Sequence, residues 1–415
     1  MSHKNQFIFD IRPSTKIFLM LSIVVLVLFT TLEFLAPGQL GKTAAFVDFH
    51  VFHLVGDYVR QGIVAQAYDF DTFQAHQDLL NPGEKGFMPW TYPPQFNLLL
   101  AGLAPLPLWL AYLVFMAATL VIFIMVLRKL AGEHFFLVFV LVLPVVFVTI
   151  RCGQNGFLTA SLIGVFCLLL LRDRDTAGFP LGLMAIKPHL VLGIAILVLL
   201  KRKVAVLAIA AATTILAVAV STVVFGVEIW DAFLQSASDS STYLREAQYP
   251  LFRMTSVYAW LRSWGFEANV ALSGQIMMAL VALGGLTWVH FDGWETRRLL
   301  GLAVLASLSI SPYNYDYDLC SLAIALALLI PDVTRFASRN EMVALVVASW
   351  LATGAGMMVY ILPQTIIARV EAWTKVGVVP SLGAIFYIAV AALLIRFAAR
   401  GQRKAVARHP AAAPV

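Results

Sequence analysis

The sequence is short of charge and contains no hydrophilic stretch long enough for a separate soluble domain. Of 415 residues only 13% are Asp, Glu, Lys or Arg, while 60% are hydrophobic and the mean hydropathy is +0.85. That balance excludes a water-soluble domain of this length. Cysteine is equally scarce. Cys152, Cys167 and Cys320 are far apart, and two of them lie within or beside apolar runs, which leaves neither a disulfide framework nor a Cys-x-x-Cys metal site. There is no internal repeat with a period of about 20 to 50 residues, and no low-complexity segment beyond a short Ala/Pro tail. Strand-like alternation is missing too, so a membrane barrel is excluded, and helices remain as the way to satisfy a backbone in hydrocarbon. The net charge of +6 does not mark a nucleic-acid binder. Its Lys and Arg occur singly or in twos and threes at the ends of apolar runs.

What is present is a series of such runs, at 16–36, 107–127, 134–150, 155–171, 178–187, 190–200, 204–225, 271–290, 297–311, 318–332, 341–361 and 379–398. Read against a hydrocarbon layer about 30 Å thick, they predict an all-α polytopic membrane protein of about twelve spans. The whole chain, 1–415, then forms a single integral membrane domain. Residues 92–104, which open with Tyr92 and a Pro-Pro pair, read as a re-entrant or interfacial helix. The first run follows Lys4 and Arg12, opens on Lys16 and has no clear small-residue cleavage site, so it reads as an uncleaved first helix. With the N-terminus inside, most of the 29 Lys and Arg fall on the cytoplasmic side, including the basic tail 399–415, as the positive-inside rule requires. The expected location is the plasma (inner) membrane with both termini cytoplasmic. The outer surface is then mainly two extracytoplasmic loops, 37–92 and 226–270.

On this topology the unusual polar residues gather at the outer ends of helices. Asp48 and His50 follow the first run, Arg151-Cys152-Gly153-Gln154-Asn155-Gly156 ends the third, Lys187-Pro188-His189 ends the fifth, and Ser311 to Asp318 ends the ninth. Lys187 lies between two apolar segments too short to cross comfortably, which predicts a hairpin of short helices with a cation at its tip. A lysine in hydrocarbon costs roughly 2.5 to 3.5 kcal/mol on insertion scales, and it is normally kept for a partner or substrate; a snorkelling lysine at an ordinary helix end is the plainer reading. Arg151, Gln154 and Asn155, with two glycines, suit a phosphate or sugar hydroxyls, and they suit a structural turn equally well. Asp48 opens an amphipathic segment with Phe49, Phe52 and Val55 or Tyr58 on one face, expected to lie along the outer interface. There a carboxylate is stabilised by the helix dipole and fits a general base better than a general acid; a helix cap or a partner for Lys42 is the alternative. The aromatics of 68–77 and 89–96 are expected mostly as a membrane belt, with sugar stacking as the alternative.

Taken in order, Asp48-Phe49-His50-Val51-Phe52, Tyr92-Pro93-Pro94, Gly153 to Gly156, Lys187-Pro188-His189 and Ser311-Pro312 resemble glycosyltransferase family 87, over about residues 46–330. The resemblance implies a GT-C-like bundle with a lipid-facing cavity on the outer side. It also implies a polyprenyl-phosphate sugar donor, such as the mannose form, and an inverting transfer to a lipid or glycan acceptor with Asp48 as base. Many relatives carry a histidine soon after the Ser-Pro pair, where this chain has Tyr313, Asn314 and Tyr315. Lys187 and Arg151, with His189 as a donor, are the candidates for the donor phosphate. His50, Gln154, Asn155, Tyr92, Asn314 and Asp316 are candidates for the substrates. No cofactor or metal is expected, because one or two cations balance a monophosphate leaving group, although the acid pairs Asp316/Asp318 and Asp69/Asp71 keep a metal open. The expected partners are the donor, the acceptor and membrane lipids, with no nucleic acid. A transporter or lipid flippase is the alternative function, and a structural or assembly protein a third.

Overall fold

The computed structural model describes residues 12–36, 47–80, 87–374 and 376–408. Lys42 lies outside the described residues. Among those described there is no strand; the nearest approach is an isolated antiparallel bridge between Met254 and Tyr315. The first apolar run forms α1 (Pro13–Leu35). The first long loop folds into α2 (Asp48–Gln61), α3 (Phe70–Leu80) and, after the Pro-Pro pair, α4 (Pro94–Leu103). Then come α5 (Leu108–Ala131), α6 (Phe135–Leu141), α7 (Leu143–Cys152), α8 (Gly156–Leu170), α9 (Gly178–Leu183), α10 (Leu192–Leu200) and α11 (Val204–Phe225). The second long loop holds α12 (Glu228–Arg245) and α13 (Val257–Ser263). The chain finishes with α14 (Ala268–Phe291), α15 (Thr296–Leu308), α16 (Cys320–Phe336), α17 (Arg339–Met358), α18 (Gln364–Glu371) and α19 (Gly383–Arg408).

Seven helical segments among the described residues are long and apolar enough to cross a membrane: 13–35, 108–141, 204–225, 268–291, 316–336, 339–358 and 383–404. Segments 143–152, 156–170 and 188–200 are apolar but shorter. The protein is therefore a helical polytopic membrane protein. Several runs read as spans from hydropathy are short helical pieces. The run 134–150 breaks at Val142 because Pro144, near the start of α7, has no N–H to continue the ladder. The Val140 carbonyl that would have received that N–H accepts instead from the Trp350 indole at 2.8 Å.

At the centre lies α16, buried almost without interruption from Cys320 to Ile330, with α5, α8, α15 and α19 packed round it. The outer helices leave apolar residues exposed, such as Ile215, Leu216 and Val223 on α11 and Met277, Leu280 and Val281 on α14, as lipid-facing surfaces do. The first loop departs from expectation. Phe49, Phe52 and Val55 of α2 are buried against the bundle, where Phe52 meets Trp90, Tyr92, Phe96 and Phe115. Tyr68, Phe70, Phe73, Trp90 and Phe96 are likewise buried, so these aromatics form a core rather than a membrane belt. Mutual edge-to-face packing of the rings is the physical reason.

Candidate functional site

The site is built where α2, the α7–α8 junction, the Lys187 break and the turn before α16 meet. Gly153 ends α7 with φ +69°, and a Cβ there would stand 2.4 Å from the Cβ of Phe49. Only glycine lets the start of α2 approach so closely. Gly156, at the start of α8, has the same function on the other side: its Cβ would stand 2.4 Å from the Tyr317 carbonyl. Between the two glycines, Gln154 Nε2 donates to Asp48 Oδ1 at 2.8 Å. Its Oε1 accepts from the Tyr92 hydroxyl and from the Asn155 N–H, both at 3.1 Å. Burial pushes the Tyr92 phenol up from its ordinary value, so it remains a donor. Asn155 is buried with its amide beside that hydroxyl.

Two charge centres flank this bridge. In the first, Arg253 is 8% exposed and forks onto Asp316, with Nε to Oδ2 at 3.1 Å and Nη2 to Oδ1 at 2.9 Å. Its Nη1 lies 3.7 Å from Asp48 Oδ2, and Nη2 also donates to Cys152 Sγ at 3.3 Å. In the second, the chain leaves helical geometry at Lys187, as a residue before proline does. Lys187 Nζ then donates to Asp318 Oδ1 at 2.5 Å. Asp318 Oδ2 accepts from the Tyr315 N–H. The Tyr317 ring stands between the centres, 4.7 Å from Lys187 Nζ and 5.6 Å from the Arg253 guanidinium. Lys187 is also 5.7 Å from the Tyr92 ring, which joins the hairpin lysine to Asp48 through Tyr92 and Gln154. Asp316 and Asp318 thus face different cations, and among the described residues no three His, Cys, Asp or Glu side chains converge to hold a metal. Asp69 caps α3 through the Thr72 N–H.

Of the residues singled out from sequence, Asp48, Tyr92, Gln154, Asn155, Lys187 and Asp316 come together here. His189 is electrostatically coupled to Lys187 and Asp318, and its Nε2 is buried with no hydrogen-bond partner among the described residues. Asn314 lies one layer behind, donating to Thr255 Oγ1 at 2.8 Å and bracing the segment that carries Arg253. Two residues turn elsewhere. Arg151 points at α1, bonding Glu33 and, at 3.0 Å, Thr30. His50 accepts from the Val47 N–H through Nδ1 and packs on Phe34.

Arg253 was not legible as a site residue. Its one signal is a lone cation among Leu251, Phe252 and Met254, where burial demands a partner. The bridge from Met254 to Tyr315 is what brings it to Asp316.

A model of glycosyltransferase family 87 matches residues 90–312. The match is narrower than the expected 46–330: it takes in Tyr92, Gln154, Lys187 and Arg253 and stops short of Asp48, Asp316 and Asp318. No curated protein matches the chain, and no solved structure does.

Proposed function

The chain belongs to glycosyltransferase family 87, and from that premise we propose that it moves a hexose, mannose being the first candidate, from a polyprenyl-phosphate donor to a lipid or glycan hydroxyl, with inversion. The reading has the site on the extracytoplasmic side of an inner-membrane bundle with GT-C-like architecture, both termini cytoplasmic, and the shorter apolar helices completing the count towards twelve spans.

One observation supports it: a carboxylate and a buried cation are joined through a polar bridge, with Asp48 bonded to Gln154, Gln154 to the Tyr92 hydroxyl, and Lys187 facing the Tyr92 ring. An inverting displacement needs both groups, a base for the acceptor and a cation for the leaving group. The acceptor oxygen attacks the anomeric carbon from the Asp48 side, its proton passes to the Asp48 carboxylate, and the bond to the lipid phosphate breaks on the Lys187 side. Lys187, oriented by its bond to Asp318, donates to the leaving phosphate through its remaining N–H groups, and His189 donates to it as well. A well-placed base contributes about 10² to 10⁴ in rate, or about 3 to 5 kcal/mol of barrier. Tyr92, Gln154 and Asn155 supply donors and acceptors for sugar hydroxyls between the two.

The test is to incubate the purified full chain with polyprenyl phosphates bearing mannose, glucose, galactose or arabinose and a membrane lipid extract as acceptor source, following polyprenyl phosphate release. Turnover with the parent and its loss, by 10²-fold or more, in Asp48→Asn with donor binding retained is the expected result. Near-parent turnover in Asp48→Asn removes it from the mechanism. Transport of the lipid across liposomes with no acceptor present would favour a flippase.

A further inference from the structure

We propose that Arg253 is a positioning residue for the Asp48 base, anchored by Asp316 and acting through Asp48 rather than on the substrate. The inference rests on the reading of Asp48 as base and extends it to a residue to which nothing above assigns a part in the reaction. One guanidinium serves two carboxylates, and the two are not equivalent. The Asp316 side chain is 2% exposed and takes the two-bond fork; the Asp48 side chain is 18% exposed and takes a single contact at 3.7 Å. The buried acid is therefore the anchor, and the more accessible acid is the one free to meet a substrate. A planar guanidinium held by a fork, a thiol at 3.3 Å and the faces of Tyr315 and Tyr317 has few ways to move.

Asp48 in turn is met on both oxygens from different parts of the chain, Oδ1 by a hydrogen bond from Gln154 at 2.8 Å and Oδ2 by the Arg253 charge at 3.7 Å. The bond fixes Oδ1 and the charge draws Oδ2 towards the fork, which biases the orientation of the carboxylate and leaves lone pairs for an incoming hydroxyl. Lysine at 253 keeps the charge but, as a point donor on a flexible stem, cannot fork onto Asp316 and face Asp48 together.

The test compares Arg253→Lys and the double variant Arg253→Gln/Asp316→Asn, which removes both charges of the fork so that no unpaired carboxylate is left buried. Each is purified as the full chain, checked by elution and thermal midpoint, and assayed with the fastest donor of the panel above. The expected result is kcat lowered at least 10-fold in Arg253→Lys and at least 100-fold in the double variant. The donor KM stays within twofold in both, because the phosphate is held at Lys187. Either folded variant suffices. Turnover within threefold of the parent overturns the proposal, since Asp48 then needs no second anchor. A donor KM that rises as far as kcat falls overturns it too, since Arg253 then serves folding or the donor itself. An inactive Asp48→Asn beside normal Arg253 variants sinks this inference alone; an active Asp48→Asn sinks the reading beneath it.

Discussion

His50 illustrates how little a residue type settles alone. A histidine two positions from the candidate base reads naturally as a substrate ligand, yet its Nδ1 accepts from the Val47 N–H at the start of α2 and its ring rests on Phe34. Burial pushes its imidazole down to about 4. The folded state therefore resists protonation, whereas the unfolded chain takes up a proton near pH 6.5. Stability from this group is complete above pH 6.5 and is lost as pH falls towards 4, by up to about 3 kcal/mol. Thermal midpoints of the purified protein at pH 7.5 and 4.5 test the point. Replacement of His50 by Gln should lower the midpoint at pH 7.5 and make less difference at pH 4.5; a gap that widens on acidification contradicts it. Lys187, by contrast, was legible as a residue in need of a partner because it lies amid apolar runs, although the identity of that partner, Asp318, was not.

At the level of elements, what the sequence conveys well is local. The start of α2 at Asp48 and the punctuation Gly-Gln-Asn-Gly are visible in the chain itself, because capping and glycine geometry depend on near neighbours. The burial of Trp90 and Phe96 is not visible, since a membrane belt and a folded aromatic core draw on the same residue types; the difference lies in contacts distant along the chain. Arg253 escapes for the same reason. Two glycines separate local from non-local demands. Gly62, at the end of α2, has φ +73° with nothing within 4 Å of an added Cβ, and Gly153 has φ +69° with Phe49 at 2.4 Å. Alanine at 62 should cost about 1 to 2 kcal/mol for the left-handed backbone and leave sugar transfer intact. Alanine at 153 incurs the same strain and must also push α2 away, breaking the 2.8 Å contact between Gln154 and Asp48. A displacement of about 1 Å there should lower kcat about 100-fold. Equal kcat for the two alanine variants would mean that the close approach is not what positions Asp48.

For the whole molecule, the membrane character and the helical class follow from composition, but the number of crossings does not. A window of apolar residues reads the same whether the neighbours are lipid or protein: α15 is buried throughout from Arg298 to Leu308, while α11 buries only Val206, Ala210 and Ser221. The bundle is tied at its two ends by buried ion pairs on α16 or just before it. Asp318 precedes Cys320, and Asp332 lies fourteen residues further on, about 20 Å along the helix axis. Asp332 is 3% exposed and takes a fork from Arg298 of α15 at 2.9 Å and 3.1 Å, and Arg297 Nη2 at 2.9 Å. Arg298 continues to Gln402 of α19 at 3.0 Å, and Gly401 lies close beneath the Asp332 carboxylate. Three helices are joined, α16 to α15 through Asp332 and α15 to α19 through Arg298. Removing Asp332 takes the buried partner from two guanidinium groups, one of them 7% exposed, and leaves them the half-exposed Glu295, the Leu328 carbonyl and Gln402, so the cost falls below the roughly 3 to 5 kcal/mol of a fully unpaired buried charge. Asp332→Ala should therefore lower the thermal midpoint by several degrees, yet leave kcat per folded molecule within twofold of the parent, because the residues proposed for sugar transfer stand at the other end of α16. Thermal unfolding paired with active-fraction-corrected turnover measures both. A variant that keeps its midpoint contradicts the structural role of the cluster, and one that keeps its midpoint but loses kcat would instead couple the two ends of the bundle.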